Sequence, residues 1–209
     1  MKDLRARLRL YVITDRRLAG GRPEEEVVRA AAAGGATAIQ LRGKEMGGRQ
    51  LYQVGTVLRR LAKELDLLFI VNDRVDVALA VEADGVHLGQ DDLPLTEARR
   101  LLGRKMVIGI SVDTVEEALA AQRGGADYLG AGPVFPTTSK TDTGPVMGPD
   151  GLQRICAAVR IPVVGIGGVS VFNARQVMEA GAAGLAAMSA IVSAPDVAAA
   201  ASALRAAIS

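Results

Sequence analysis

The sequence predicts an α/β fold, a (β/α)8 TIM barrel forming a single domain over 1–209, and three observations carry that expectation. Short Val/Ile/Leu runs alternate with Ala-rich amphipathic stretches along the chain, the pattern of buried parallel strands separated by covering helices. A helix–glycine–alanine–strand junction recurs as AAAGGA (31–36), AQRGGA (121–126) and MEAGAA (178–183), which suggests one unit reused around a closed sheet. Polar residues gather at the carboxyl ends of the strand candidates, whereas the amino ends carry mostly Ala, Gly, Leu and Pro. A scaffold has no need to polarise one rim, so this asymmetry points to an enzyme. A six- or seven-stranded doubly wound sheet is the competing architecture.

Taken in order, LRLYVITD (8–15) reads as the first strand and ends on Thr14 and Asp15. Pro23 followed by Glu24, Glu25 and Glu26 opens the next helix, because proline suits a first turn and carboxylates suit the positive end of the helix dipole. Glycine in AAAGGA closes it, supplying the left-handed turn before the next strand. The second strand is ATAIQLR (36–42) and the third LLFIVND (67–73), ending on Asn72 and Asp73. GVHLG (85–89) leads to Gln90, Asp91 and Asp92, and KMVIGISV (105–112) carries Ser111 near its end. ADYLGAG (126–132) runs into a long polar loop, IPVVGIGG (161–168) ends on Gly167 and Gly168, and GLAAMSAI (184–191) contains Met188 and Ser189.

Composition excludes several classes of function. With 49% hydrophobic and 3% aromatic residues in a chain of 209, one sizeable aliphatic core is expected. Lys and Arg total 25 against 23 Asp and Glu, and no basic stripe interleaved with aromatics follows the basic N-terminus, so no nucleic-acid partner is expected. No apolar stretch approaches the roughly 18 residues of a membrane span, and residues 1–10 lack the apolar middle of a signal peptide. A soluble, cytoplasmic protein without a membrane partner is expected, and a homo-oligomer is left open. Cys156 is the sole cysteine, which leaves no intramolecular disulfide and reads as a small buried hydrophobe.

Four constellations carry chemistry. Gln40, Arg42 and Lys44 are spaced by two, so in an extended chain they project to one side and form an anion or phosphate clamp; a solvated strand end is the plainer alternative. Asp73, Asp91 and Asp92 end neighbouring strands, where hard carboxylate oxygens suit Mg2+ beside substrate phosphate; ion pairing to Arg74 or helix capping competes with that reading. The loop GPVFPTTSKTDTGPVMG (132–148) offers Thr137, Thr138, Ser139 and Lys140 to close over a phosphorylated ligand, or is merely a hydrophilic connection. VGIGGVS with Ser189 places small residues and backbone N–H groups where barrels often bind phosphate, though paired glycines also serve tight packing. His87, the sole histidine, reads as structural, and no Ser/His/Asp order or zinc spacing is present.

These motifs together resemble the thiamine-phosphate synthase family. QLRGK, VNDRVDVALAVEADGVHLGQDD, GISVDT, GPVFPTTSKTDTGP and VGIGGVSVFNARQVMEAGAAGLAAMSAI are similar to that family's signatures in order and spacing, from YVITDR to MSAIVSAPD. The resemblance implies transfer of the 4-amino-2-methylpyrimidin-5-ylmethyl group from its diphosphate to the nitrogen of a thiazole phosphate, giving thiamine phosphate and diphosphate. It further implies a dissociative route with Mg2+ as cofactor. On the same resemblance Gln40, Arg42, Lys44, Asn72, Ser111 and Lys140 meet the pyrimidine diphosphate, and Asp73 and Asp92 hold the metal. Thr137, Ser139, Gly168, Met188 and Ser189 receive the thiazole phosphate, with Thr138 on the same loop. Arg42, Lys44, Lys140 and Ser111 are the expected catalytic residues.

The chain departs from the family pattern at Gly43, inside the usual Arg-acid-Lys triplet, at the Thr137–Lys140 run, and at Asp113, where a histidine often follows the serine. The extra negative charge of Asp113 weakens diphosphate binding if it points inward. Two alternatives stand beside the synthase: a thiazole tautomerase-like barrel enzyme, and a non-catalytic thiamine-phosphate binding protein.

Overall fold

The computed structural model describes residues 3–139 and 144–209. Its first element, α1 (Leu4–Arg7), is a single turn capped by the Asp3 carboxylate, which accepts from the Arg5 N–H. Then follow β1 (Leu10–Ile13), α2 (Glu24–Ala33), β2 (Ala38–Leu41), α3 (Gly48–Glu64), β3 (Leu68–Asn72), α4 (Val75–Ala80), β4 (Gly85–Leu88) and α5 (Leu95–Leu102). The second half continues with β5 (Val107–Val112), α6 (Val115–Arg123), β6 (Tyr128–Ala131), α7 (Gly148–Ala158), β7 (Val163–Ile166), α8 (Ala174–Glu179), β8 (Gly184–Ala187), α9 (Ser189–Val192) and α10 (Val197–Ala207).

Every strand pairs in parallel with its sequence neighbours, and β1 pairs with β8, so the sheet closes into a (β/α)8 barrel. Closure removes both sheet edges and makes the doubly wound alternative untenable.

Local sequence accounts for the helices. In α3 the buried residues Leu51, Gly55, Leu58, Leu61 and Ala62 recur at helical spacing and form one stripe against the sheet. In α6 the Thr114 hydroxyl accepts from the Glu117 N–H, and in α10 the Asp196 carboxylate accepts from the Ala199 N–H, each filling a backbone donor that the first turn leaves unpaired. The three recurring junctions place Gly35, Gly125 and Gly181 at φ of 91°, 89° and 91°, the left-handed turn that a side chain disfavours.

Strand alternation divides the core in two. Outward residues such as Val12, Ile39, Val71, Val86 and Leu88 pack under the helices, while Tyr11, Ala38, Ile70, Val107, Tyr128 and Val164 fill the barrel interior. The Tyr11 and Tyr128 rings meet edge-on with centroids 6.1 Å apart. Gly109 makes room for them, since a Cβ there would overlap the Tyr128 ring.

Two expectations change at their ends. The eighth strand stops at Ala187, and Ser189–Val192 turns into a helix. The β8 ladder ends with Ala186 opposite Ile166 and Ala187 opposite Val12, after which Ile191 and Val192 bury on the helical side. The first strand begins at Leu10 because residues 4–7 form α1. No helix among the described residues is long and apolar enough to cross a membrane.

Candidate active site

The carboxyl ends of the strands surround a cavity of about 370 Å³. On one wall, the turn after β3 presents Asp73 with φ 62°, a backbone state that an Asp tolerates better than most side chains. The Lys44 ammonium lies 2.8 Å from Asp73 Oδ2. This hydrogen bond holds the Lys44 pKa above its ordinary value, against the opposing effect of burial.

Asp92 stands beside Asp73, and its Oδ2 accepts from the Gly89 N–H at 2.7 Å. Burial raises the Asp92 pKa first, and the hydrogen bond and charge of Asp73 raise it further. Two carboxylates pressed together in a partly buried site are relieved by a divalent cation, so this donor set fits a hard ion bound through one or two carboxylates.

Arg42 follows β2 and is almost as buried as its partner, Asp15, whose Oδ2 lies 2.6 Å from the guanidinium Nη1. The Arg42 Nε is buried and has no hydrogen-bond partner among the described residues. Asn72, at the end of β3, and Ser111, in β5, complete this half of the wall.

Across the cavity the Ser139 and Ser189 hydroxyls lie 2.8 Å apart, and the Ser139 N–H meets the Thr137 hydroxyl at 3.2 Å. Gly167 and Gly168 both have positive φ. A Cβ at Gly168 would come 2.8 Å from the Phe135 carbonyl carbon, so only glycine lets the β7 turn approach the long loop this closely. Asn173 locks the turn, donating to the Gly168 carbonyl at 3.0 Å and accepting from the Ser170 N–H at 2.7 Å.

A family model described as thiamine monophosphate synthase matches residues 10–191. The chain belongs to the thiamine monophosphate synthase family. As a member it is a transferase. The thiamine-phosphate synthase of Moorella thermoacetica is 54% identical over 196 residues, covering 94% of this chain and 93% of that protein. That of Coprothermobacter proteolyticus is 54% identical over 204 residues, covering 98% and 96%. A solved thiamine phosphate pyrophosphorylase from Pyrococcus furiosus matches with TM-score 0.91 and 51% identity, over 99% of this chain and 98% of the other. A 3-hexulose-6-phosphate synthase, at 23% identity and TM-score 0.75, shares the fold alone.

Within this family frame, most of the residues singled out by sequence meet on the one cavity: Arg42, Lys44, Asn72, Asp73, Asp92 and Ser111 on one side, and Thr137, Ser139, Gly168, Met188 and Ser189 on the other. Gln40 does not share the expected three-residue clamp. It lies beneath the cavity with 2% exposure, its Nε2 donating to the Tyr11 hydroxyl at 2.7 Å. The period of two holds for Gln40 within β2, but the chain leaves the strand after Leu41, so Arg42 and Lys44 follow a different course. Thr138 is exposed and lies off the cavity wall. Lys140 lies outside the described residues. Asp113 lines the cavity, as the inward-pointing case requires.

His87 is the main residue that sequence reading set aside. It lines the cavity, with Nε2 2.9 Å from Ser111 Oγ and Nδ1 3.0 Å from the Tyr128 hydroxyl. A signal was present: Val86 and Leu88 pack outward, so alternation sends His87 into the barrel. Gln90 was similarly underused, and its Nε2 donates to the Ser111 carbonyl. Cys156 is half-buried at the rear of α7, where burial pushes its thiol up to about 11.

Proposed function

We propose that this enzyme makes thiamine phosphate, transferring the 4-amino-2-methylpyrimidin-5-ylmethyl group from its diphosphate to the ring nitrogen of a thiazole phosphate and releasing diphosphate. The observation that carries this reading is the juxtaposition of Asp73, Asp92, Lys44 and Arg42 on one cavity wall opposite the Ser139/Ser189 hydroxyl pair. One wall suits a diphosphate with its cation, and the other suits a second phosphate. The printed names of the relatives support the same reading.

Asp73 and Asp92 would hold Mg2+, which when bound supplies positive charge to the departing diphosphate. The chain's own residues contribute the rest. Arg42 and Lys44 stabilise the charge that grows on the diphosphate oxygens as the C–O bond breaks, and Lys140 is assigned the same task from its place in the loop sequence. Ser111 and Asn72 orient the diphosphate ester, fixing the methylene carbon toward the thiazole side. Thr137, Ser139, Ser189 and the backbone at Gly168 anchor the thiazole phosphate so that its nitrogen lone pair faces the cation left behind. No general base is needed, because that nitrogen carries no proton. Barrel walls and loop exclude water that would otherwise capture the cation.

The test is direct. Purified protein is given both precursors with Mg2+ added or withheld, and product is identified by mass. Thiamine phosphate formed only with the metal supports the reading. Ligand binding without turnover would favour the non-catalytic alternative, and isomerisation of the thiazole phosphate alone would favour the tautomerase.

A further inference from the structure

A line of hydrogen bonds crosses the barrel beneath the cavity. Gln40 Nε2 stands 2.7 Å from the Tyr11 hydroxyl, which is 3.0 Å from the Tyr128 hydroxyl. The latter is 3.0 Å from His87 Nδ1, and His87 Nε2 is 2.9 Å from Ser111 Oγ. The inner members are sealed from water, Gln40 and Tyr11 at 2% exposure and Tyr128 at 0%, while His87 and Ser111 open onto the cavity.

We infer that this line runs in one direction, donating from Gln40 toward the cavity, so that His87 carries its hydrogen on Nε2 and Ser111 meets the ligand as a hydrogen-bond donor. A count of hydrogens leads there. The Gln40 amide nitrogen can only donate, so it fills an acceptor site on Tyr11. Two phenol hydrogens then serve two bonds, Tyr11 to Tyr128 and Tyr128 to His87 Nδ1. A hydrogen on Nδ1 would put three hydrogens on those two bonds and strand one phenol O–H in a dry interior, which disfavours that form by roughly tenfold or more.

Burial raises the pKa of both tyrosines, which keeps the two phenol hydrogens in place. The His87 ring is held against Tyr128, with centroids 5.5 Å apart. With Nδ1 accepting, the imidazole hydrogen sits on Nε2 and is given to Ser111 Oγ. Ser111 then has its own hydrogen left for an acceptor in the cavity. The opposite direction would need the Gln40 amide oxygen against Tyr11, where the structure places the amide nitrogen, and would leave Ser111 offering only lone pairs. His87 is therefore a positioning residue. Only the identity of that acceptor, a diphosphate oxygen, rests on the function proposed above.

His87 is the sole histidine, so protein grown with ring-15N histidine gives one imidazole in the NMR spectrum, and the two nitrogen shifts report which atom bears hydrogen. The expected wild-type result is hydrogen on Nε2 and none on Nδ1. Tyr128→Phe removes the donor to Nδ1 and should give a mixture of the two forms, whereas Tyr11→Phe should preserve the wild-type form because Tyr128 keeps its own hydrogen. Hydrogen on Nδ1 in the wild type, or an unaltered form in Tyr128→Phe, overturns the inference. Should Tyr128→Phe fail to fold, the wild-type spectrum decides alone. Calorimetry with inorganic diphosphate and Mg2+ reads the consequence, and Tyr128→Phe should bind about tenfold more weakly. Wild-type protein that shows hydrogen on Nε2 yet binds no diphosphate leaves the direction of the line standing and counts against the synthase reading instead.

Discussion

Lys44 reaches Asp73 at 2.8 Å although the two residues follow different strands, and Asp73 at the same time stands beside Asp92. A single carboxylate thus faces both a cation of the chain and a second acid. Lys44 compensates part of that charge, and on the proposed function a divalent ion held by the two acids would take over that role.

On the proposed function, Asp73→Asn is expected to lower turnover by about a hundredfold or more, because it would remove a carboxylate assigned to the metal where charge develops. Asparagine is the variant of choice, since the backbone at φ 62° accepts it with little strain. Circular dichroism should be unaltered, and steady-state rates at several Mg2+ concentrations make the measurement. Parental turnover at limiting Mg2+ would remove Asp73 from the metal site.

Arg42→Ala should weaken the fold as well as diphosphate binding. Asp15 is 9% exposed and pairs with Arg42 at 2.6 Å, so truncation leaves a largely buried carboxylate uncompensated, at a cost of roughly 2–4 kcal/mol. Urea unfolding reads the loss. Asp15→Asn in the Arg42→Ala background should recover part of it, and purely additive effects would show that the pair is energetically inert.

Gly168→Ala is expected to raise KM for the thiazole phosphate about tenfold while costing about 1–2 kcal/mol of stability, through left-handed strain. The φ of 64° and the crowding against Phe135 both oppose a side chain there. Kinetics with each precursor varied in turn would separate the two sites, and an equal rise in both KM values would count against a thiazole-side role.

Cys156 should be a poor nucleophile. Burial moves its thiol from 9.0 up to about 11, so between pH 7 and 9 the thiolate fraction, and with it the alkylation rate, is roughly a hundredfold below that of an unperturbed thiol. In the unfolded chain the thiol ionises first as pH rises, so its contribution favours unfolding between pH 9 and 11. Iodoacetamide labelling of native and urea-unfolded protein measures the difference, and equal rates would show that the thiol is accessible and unshifted.

Much of the fold was legible in the sequence because each βα unit carries its own instructions. Aliphatic runs define β1 to β8, acids at the start of α2 and the Thr114 and Asp196 caps start helices, and Gly35, Gly125 and Gly181 turn the chain back toward the sheet. These are local decisions, made within a few residues, as was the gathering of Asn72, Asp73, Asp92 and Ser111 at one end of their strands. Boundaries were less legible where an apolar run continued past its ladder, as at Met188–Val192.

Local pattern by itself determined alternating strands and helices with polar residues gathered at the carboxyl ends of the strands, and it left a closed barrel and a doubly wound sheet both open. Only the tertiary pairing of the strands decided which members of the rim touch: Lys44 with Asp73, Arg42 with Asp15, Ser139 with Ser189, and the Gln40 amide nitrogen with the Tyr11 hydroxyl below the cavity. The physical reason is that a strand's period of two fixes the face on which a side chain stands but not what stands opposite. Tyr11 and Tyr128, 117 residues apart, bond through their hydroxyls only because β1 and β6 lie across one closed ring. The Tyr128 hydroxyl also meets Nδ1 of the sole histidine, which lines the wall of the site.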